Sequence, residues 1–517
     1  MSASKRIAIA VGISWVSRAV SILSGLLLMP ILFRFMGKEE LGLWFLLGNS
    51  QAFLGLLGMG IAPTLTRRIA FAKGKSGSHP DAELTDESKQ DIGDWVVTGK
   101  VILQWLAVIV FFIAWISGYG LIRELKLEQV SPQTVFWAWT LMCLGYAINV
   151  WVSYLGCWLQ GIGYVGWDSL IATILAVLTI AANIIAVLMG GGLLALAIIS
   201  VVSGLSNRFI FISFLRWQQP QLFDFQGRWN KGYAKSIIKP SLLNWLTSLG
   251  SFLILRTDAY FISLLKGVSD LPQYQATYSL VANVLMLAQS TTYSSNVFIS
   301  HAWQAGDLKD VQALIFRTMK VGALIMASGI AFILSTGKEL IFVWLGTNNF
   351  IGYGVLLVFC IMATLEFQHG SLVNSSRATE DENYAPVALT AGFLNIFFTW
   401  MLIKPFGLLG VAMGTMFAQM LTNNWYCVYR PFKRLRLSAK LYYHEVLELW
   451  ITCFVCCILL SFLAHSLLNR MNIQSSPIIV ASSFFLCTLV LLSLIWFKIF
   501  SSQQKNKFFS KIQSFIF

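Results

Sequence analysis

Residues 12–63 read GISWVSRAVSILSGLLLMPILFRFMGKEELGLWFLLGNSQAFLGLLGMGIAP, and this stretch decides the fold class. Two apolar runs, about 11–33 and 41–63, flank a short polar connection holding Arg34, Lys38, Glu39 and Glu40. A hydrocarbon layer of about 30 Å takes roughly 20 apolar residues of helix, so each run is long enough to cross a bilayer. The first run does not read as a cleaved signal. It follows only Lys5 and Arg6, extends to about Phe33, carries no small-residue cleavage site and leads directly into a second run.

The same pattern continues along the chain. Further apolar stretches fall near 95–118, 134–158, 166–189, 193–215, 240–265, 276–300, 318–336, 351–374, 384–403, 408–428, 446–467 and 476–498. The eighth and tenth are the most polar, rich in Ser, Asn and Gln. The chain of 517 residues is 57% hydrophobic and 12% charged, with a mean hydropathy of +0.70. A soluble domain carries about 25% charged residues, so this one has half the charge a water-facing surface needs. The expectation is an all-α polytopic membrane protein of about fourteen spans with no soluble domain.

Charge position sets orientation. The loops that would share one side of the membrane hold 25 Lys and Arg, from Lys5 and Arg6 through Arg67, Arg68, Lys73, Lys75 and Lys89 to Lys498–Lys511. The alternate loops hold 8: Arg34, Lys38, Arg123, Lys126, Lys266, Lys338, Lys404 and Arg470. The positive-inside rule makes the first set cytoplasmic and, with an even number of spans, both termini too. A net charge of +14 taken alone suggests nucleic acid, but the charges cluster in these short loops, so no nucleic-acid partner is expected.

The longest polar segments are about 67–93, with acidic residues from Asp81 to Asp91, and about 216–239, where Trp217, Phe223, Phe225 and Trp229 sit among basic residues. The second suits an interfacial linker. The expected organisation is an N-lobe over 1–215, a linker over 216–239, a C-lobe over 240–428, two further helices over 429–498 and a basic tail over 499–517. Repetition between halves is faint: Trp15 and Arg18 open one, Trp245 and Arg256 the other. Pro30, Gly60, Pro63 and Gly410–Gly414 suit close helix packing.

Eight cysteines lie mostly within apolar runs, Cys143, Cys157, Cys360, Cys456 and Cys457 among them, and read as small buried hydrophobes. Nineteen Trp fall largely near span ends, as interface belts do. No phosphate loop, dinucleotide fingerprint or serine elbow is present, and His444-Glu445-Val446-Leu447-Glu448 lacks the second His of a zinc-protease helix. No catalytic residue, metal site or cofactor is therefore expected.

Ionisable residues at membrane depth carry the information. Each costs about 2.5 to 3.5 kcal/mol on insertion scales, so such groups face a cavity or a partner. Arg18 shares a helix face with Ser14, Ser17, Ser21 and Ser24, a polar stripe that suits a hydrated cavity; snorkelling to the interface is the competing reading. Arg256 could line a cavity or pair with Asp258 or Glu366. Lys100 and Arg208 lie near span ends, where snorkelling suffices. Glu366 and His369 share one face of span ten and with Asp258 are candidates for ion coupling or proton relay; bonding to a neighbouring helix is the plainer role. Asn244, Asn283, Gln289, Asn296 and Gln368 could line a polar cavity. Asn374-Ser375-Ser376 is formally a glycosylation sequon, but at a cytoplasmic span end.

The stretch Gly12–Lys75 carries a family resemblance. It has Trp15 and Arg18 in the first span, Pro30 near its end, the spacing Arg34-x-x-Gly37-x-Glu39-x-x-Gly42-x-Trp44, and GLLGMGIAPTLTRRIAFAKGK over 55–75. It resembles the polysaccharide-transporter (O-antigen flippase, Wzx-like) branch of the superfamily that also holds lipid II flippases and MATE drug exporters. The resemblance implies two six-helix lobes around a central cavity, two extra C-terminal helices and alternating access. It implies an undecaprenyl-diphosphate-linked oligosaccharide as cargo, cavity cations (Arg18, and more loosely Arg256) for the diphosphate, and H+ or Na+ as a coupling ion. It further implies polysaccharide polymerase or chain-length proteins as neighbours, and a bacterial inner-membrane location. Two departures stand out: Leu57-Gly58-Met59-Gly60 replaces a Leu-Asp-x-Gly segment, and no Pro lies near Val297 and Phe298. The rival readings are a MATE-like cation-coupled antiporter, whose cavity should be acidic, a membrane enzyme of glycan assembly, and a scaffold.

Overall fold

A computed structural model describes residues 23–59, 61–76, 84–223, 227–293, 306–379, 383–471 and 475–499, with residues 20, 295–296, 299, 302–303 and 381. The helices are α1 (Leu23–Phe35), α2 (Lys38–Met59), α3 (Ile61–Gly74), α4 (Asp86–Glu124), α5 (Pro132–Gly161), α6 (Val165–Leu188) and α7 (Gly192–Gln218). After a linker come α8 (Lys231–Leu255), α9 (Asp258–Leu265), α10 (Leu271–Tyr293), α11 (Leu308–Leu345), α12 (Tyr353–Arg377), α13 (Ala385–Leu421) and α14 (Asn423–Arg434). The last are a single turn, α15 (Ala439–Tyr442), then α16 (Glu448–Arg470) and α17 (Ser476–Lys498). Helix covers part of each of the fourteen apolar stretches, and among the described residues nine helices are long and apolar enough to cross a membrane. The chain is an all-α, multi-pass membrane protein.

Local chemistry starts and ends these helices. Thr85, Ser131, Asn230 and Asp307 cap α4, α5, α8 and α11 by accepting hydrogen bonds from first-turn amides. α13 is not straight. Gly407, at φ 58° and ψ −135°, takes a backbone conformation that only glycine adopts readily, just after Pro405. The chain turns back there: a Cβ on Gly410 would sit 2.0 Å from the Leu402 carbonyl oxygen, and one on Gly414 2.7 Å from the Thr399 amide. Thr415 closes the hairpin by donating to Asn395 Oδ1 at 3.0 Å. The segment from Ala385 to Arg434 therefore makes two crossings.

The chain divides into two compact units, Met1–Pro272 and Gln273–Phe517. In the first, α5 packs along α7 and against α3 and α4. Glycines allow the close approach: Gly145 meets Ser200, Gly118 meets the Trp139 indole, and Gly161 meets Ile69. The linker after α7 is bound to the start of α4. The Arg228 amide donates to Asp94 Oδ1 at 2.6 Å, the Asn230 amide to Thr98 Oγ1 at 3.2 Å, and the Tyr233 ring stacks on Trp95 at 3.8 Å. In the second unit, α16 and α17 pack on α11 through Leu324, Ala327, Ala331, Cys453, Cys457 and Cys487. Seven of the eight cysteines are buried and all are free thiols.

Candidate functional site

The Arg34–Trp44 motif builds a junction at the Lys/Arg-poor end of the first unit. Glu39 is 4% exposed, and its carboxylate accepts from three successive amides, Glu128, Gln129 and Val130, at 3.0–3.2 Å. Glu40 accepts from the Leu193 amide at the start of α7, at 2.6 Å. Gly42 lies so close to the Val268 carbonyl that a Cβ would come within 2.0 Å of its oxygen. Each of these three residues thus meets the backbone of a segment distant in sequence.

Arg18 lies outside the described residues. Arg256 stands where the seventh apolar stretch breaks, between α8 and α9, and its exposed guanidinium donates from Nη1 to buried Asn49 Oδ1 at 2.8 Å. Asp258 opens α9. Tyr260, on that same short helix, donates to Ser50 Oγ at 2.9 Å, so a second bond ties the break to α2. Arg208 is held over the Trp151 ring, 4.0 Å from its centroid, within the first unit.

The first unit also contains a cleft that sequence reasoning passed over. It is open, about 730 Å³ in volume, and its polar lining comes from Thr66 and Arg67 of α3, Asn149, Ser153 and Gln160 of α5, and Asn207 of α7. Asn149, Ser153, Gly156 and Gln160 recur at intervals of four, three and four, one face of a helix. That periodicity was the available signal, hidden in a span that reads as apolar by average. Gln160 Nε2 donates to Asp168 Oδ2 at 2.7 Å, and Asn149 Nδ2 to the Gly145 carbonyl at 3.0 Å. The Oδ1 atom of Asn207 is buried without a hydrogen-bond partner among the described residues. One arginine among neutral donors and acceptors is chemistry for an anion joined to a polyol.

In the second unit, four of the candidate polar residues gather where α10 crosses α12. Gln289 lies against Gly370, where a Cβ would meet its Nε2 at 2.7 Å. Asn296 and Asn374 exchange reciprocal amide hydrogen bonds at 2.9 and 3.0 Å, which gives the sequon asparagine a packing role. Glu366 and His369 approach to 3.4 Å, and His369 reaches Asn424 on α14 at 2.8 Å. Asn283 is half-buried on α10, and the side chain of Asn244 lies outside the described set. Glu366 and His369 thus meet each other, and His369 also meets α14.

Beyond Arg377, the Lys/Arg-rich end of the second unit is closed by a clamp. Asp381, 3% exposed, accepts from Arg430 Nε and Nη2 at 2.7–3.1 Å, from Ser376 at 3.0 Å and from Tyr384 at 3.2 Å. Burial alone would raise its carboxyl, but the Arg430 and Ser376 hydrogen bonds and the Arg430 and Arg434 charges outweigh that and hold it below the usual carboxylate range. Arg434 donates to the Thr379 carbonyl at 2.6 Å.

A sequence family described as polysaccharide biosynthesis protein matches residues 10–303. No curated protein matches the chain. Among solved structures, the lipid II flippase MurJ in an inward closed conformation is similar at a TM-score of 0.67 and 11% identity, covering 94% of this chain and 98% of that one. An inward-facing MATE multidrug resistance transporter of the MOP superfamily gives 0.64 and 16%, over 80% and 94% of the two chains. A MOP superfamily transporter from Pyrococcus furiosus gives 0.57 and 15%, over 83% and 95%. At these identities the likeness shows the fold alone, one that this chain shares with those transporters.

Proposed function

This chain belongs to the polysaccharide biosynthesis protein family, and from that premise we propose that it is a flippase for undecaprenyl-diphosphate-linked oligosaccharide units of a bacterial surface polysaccharide. The family match over residues 10–303 carries the reading. The fold supports it, since it is one built for transport rather than for catalysis. The chain then resides in the inner membrane with the Lys/Arg-rich ends and both termini in the cytoplasm. The cargo is loaded from the cytoplasmic leaflet and delivered to the periplasmic one by alternating access. Polymerase and chain-length proteins take it there.

The chemistry of such a cargo sets two requirements. Its diphosphate needs cations in a region of low dielectric, and Arg18, Arg256 and Arg67 are the groups we assign to it. Its sugars need neutral hydrogen-bonding side chains, which Asn149, Ser153, Gln160 and Asn207 supply around Arg67. A MATE-like drug antiporter is less well served by that cleft, because its charged lining residue is basic.

Deleting the gene is the test. The expected result is loss of one surface polysaccharide together with accumulation of its lipid-linked units on the cytoplasmic leaflet. Intact surface glycan with reduced dye efflux would replace this reading with the antiporter.

A further inference from the structure

The linker between α7 and α8 rests on the start of α4, yet its cations find no acid there. Asp91 accepts from the Tyr233 hydroxyl at 2.7 Å and pairs with Lys75 at 2.8 Å, and Glu87 shares that lysine at 3.9 Å. Asp94 accepts from the Arg228 amide at 2.6 Å and from Gln90 Nε2 at 3.0 Å, and Asp86 pairs with Lys89 at 3.0 Å. The acids at the start of α4 are thus engaged by backbone, by a phenol or by other lysines. The side chains of Arg228, Lys231 and Lys235 are exposed and have no acidic partner among the described residues.

Nor can these cations turn inward, because the inner side of the segment is filled. Gly227 lies so close to Gly93 that a Cβ would come within 2.1 Å of its carbonyl oxygen. Tyr233 stacks on Trp95, and Ala234 and Ile237 are buried. Lys231, Lys235 and Ile238 recur at intervals of four and three on the opposite face of α8, and all three are exposed. From Lys231 to Ile238 is about 10 Å at 1.5 Å per residue. Over that distance the face changes from ammonium to hydrocarbon, as a lipid headgroup layer about 5 to 8 Å deep requires. Trp217, next to the end of α7, is 71% exposed, and Trp229, just before α8, is 49% exposed. Indoles placed at the ends of two spans sit at headgroup level.

We propose that the outer side of this linker and of the first turns of α8 binds anionic phospholipid headgroups. Arg228, Lys231 and Lys235 meet the phosphates, while Trp217, Trp229 and Ile238 meet the glycerol and upper acyl region. A zwitterionic headgroup brings its own cation to a place that already holds three, so net negative lipid is preferred. An acidic protein segment could neutralise the lysines but would leave the two indoles unexplained. The lipid site does not rest on the cargo reading. Only its assignment to the cytoplasmic leaflet rests on the orientation proposed above.

Full-length protein in phosphatidylcholine nanodiscs doped with photoactivatable phosphatidylglycerol gives the test, with cross-links located by peptide mass spectrometry. Peptides carrying Trp217 and Arg228 to Ile238 should be labelled about fivefold more than by equally doped photoactivatable phosphatidylcholine, the factor that one cation near an anionic surface is worth. The excess should shrink as salt is raised, because counterions screen exposed charges. Arg228→Gln, Lys231→Gln and Lys235→Gln combined should abolish it, whereas Lys231→Arg with Lys235→Arg should keep it. Gel filtration identifies any variant that fails to fold, and the salt series on the unsubstituted protein needs no variant. Equal labelling by the two lipids would overturn the lipid site and leave the cations to an acidic protein partner. An excess indifferent to salt or to the three glutamines would overturn it as well.

Discussion

The carboxylate of Glu39 accepts from the amide of Gln129 through both oxygens, at 3.2 and 3.1 Å, and the same two oxygens reach the amides on either side. A side chain near the start of α2 thereby closes the turn between α4 and α5, and three donors that would otherwise be orphaned are satisfied by one buried charge. Glu39→Ala should destabilise the folded protein by about 2 to 3 kcal/mol, the cost of stranding such groups. Thermal unfolding of the purified variant in detergent measures it. An unchanged melting temperature would mean water replaces the carboxylate.

At Gly42 the constraint is steric. With the Val268 carbonyl only 2.0 Å from where a Cβ would sit, Gly42→Ala must push α2 away from backbone that cannot yield by rotating a side chain. Gly48 has open space around its own Cβ position and serves as the control. Gly42→Ala should lower the amount of folded protein in the membrane, while Gly48→Ala should leave it unaltered.

The Asp381 clamp makes a pH prediction whose sign follows from its lowered folded value. An unfolded aspartate titrates at about 3.9, so the stabilisation by Arg430 is complete at neutral pH and is lost as pH falls through the lower folded value. Asp381→Asn should cost about 3 kcal/mol at pH 7, as for a broken buried pair. The gap from the unsubstituted protein should narrow in acid. A gap independent of pH would show that shape, not charge, makes the clamp.

Export tests the role proposed for Arg18. Arg18→Ala should abolish it and Arg18→Lys should retain part, because a lysine preserves the charge but not the planar fork. Loss of surface polysaccharide at normal membrane abundance is the readout, and unchanged export by Arg18→Ala would remove that residue from the site.

For the cleft of the first unit, Arg67→Glu should block export, since it sets a carboxylate against an anionic cargo. Asn207→Leu removes a buried oxygen that has no partner among the described residues, so it should spare stability while weakening transport. Equal losses of stability and export from Asn207→Leu would give Asn207 a structural role instead.

The sequence by itself determined the solvent of this protein, its helical class and the approximate place of each crossing. Those follow from apolar length and charge along the chain, which are local quantities. The family, too, was readable in the Arg34–Trp44 spacing, although not the reason for it: only contact with residues 128–130 and 268 reveals why Glu39 and Gly42 stand there. Pairing between distant residues was beyond reach. Nothing near Asn296 announces Asn374, and nothing near Arg256 announces Asn49. Sequence pattern grouped Glu366 with His369 by helical spacing, but the α14 asparagine that meets the His369 ring emerged only from packing. The cleft beside Arg67 was likewise decided by tertiary structure, because a polar face becomes a site only when other helices leave it uncovered.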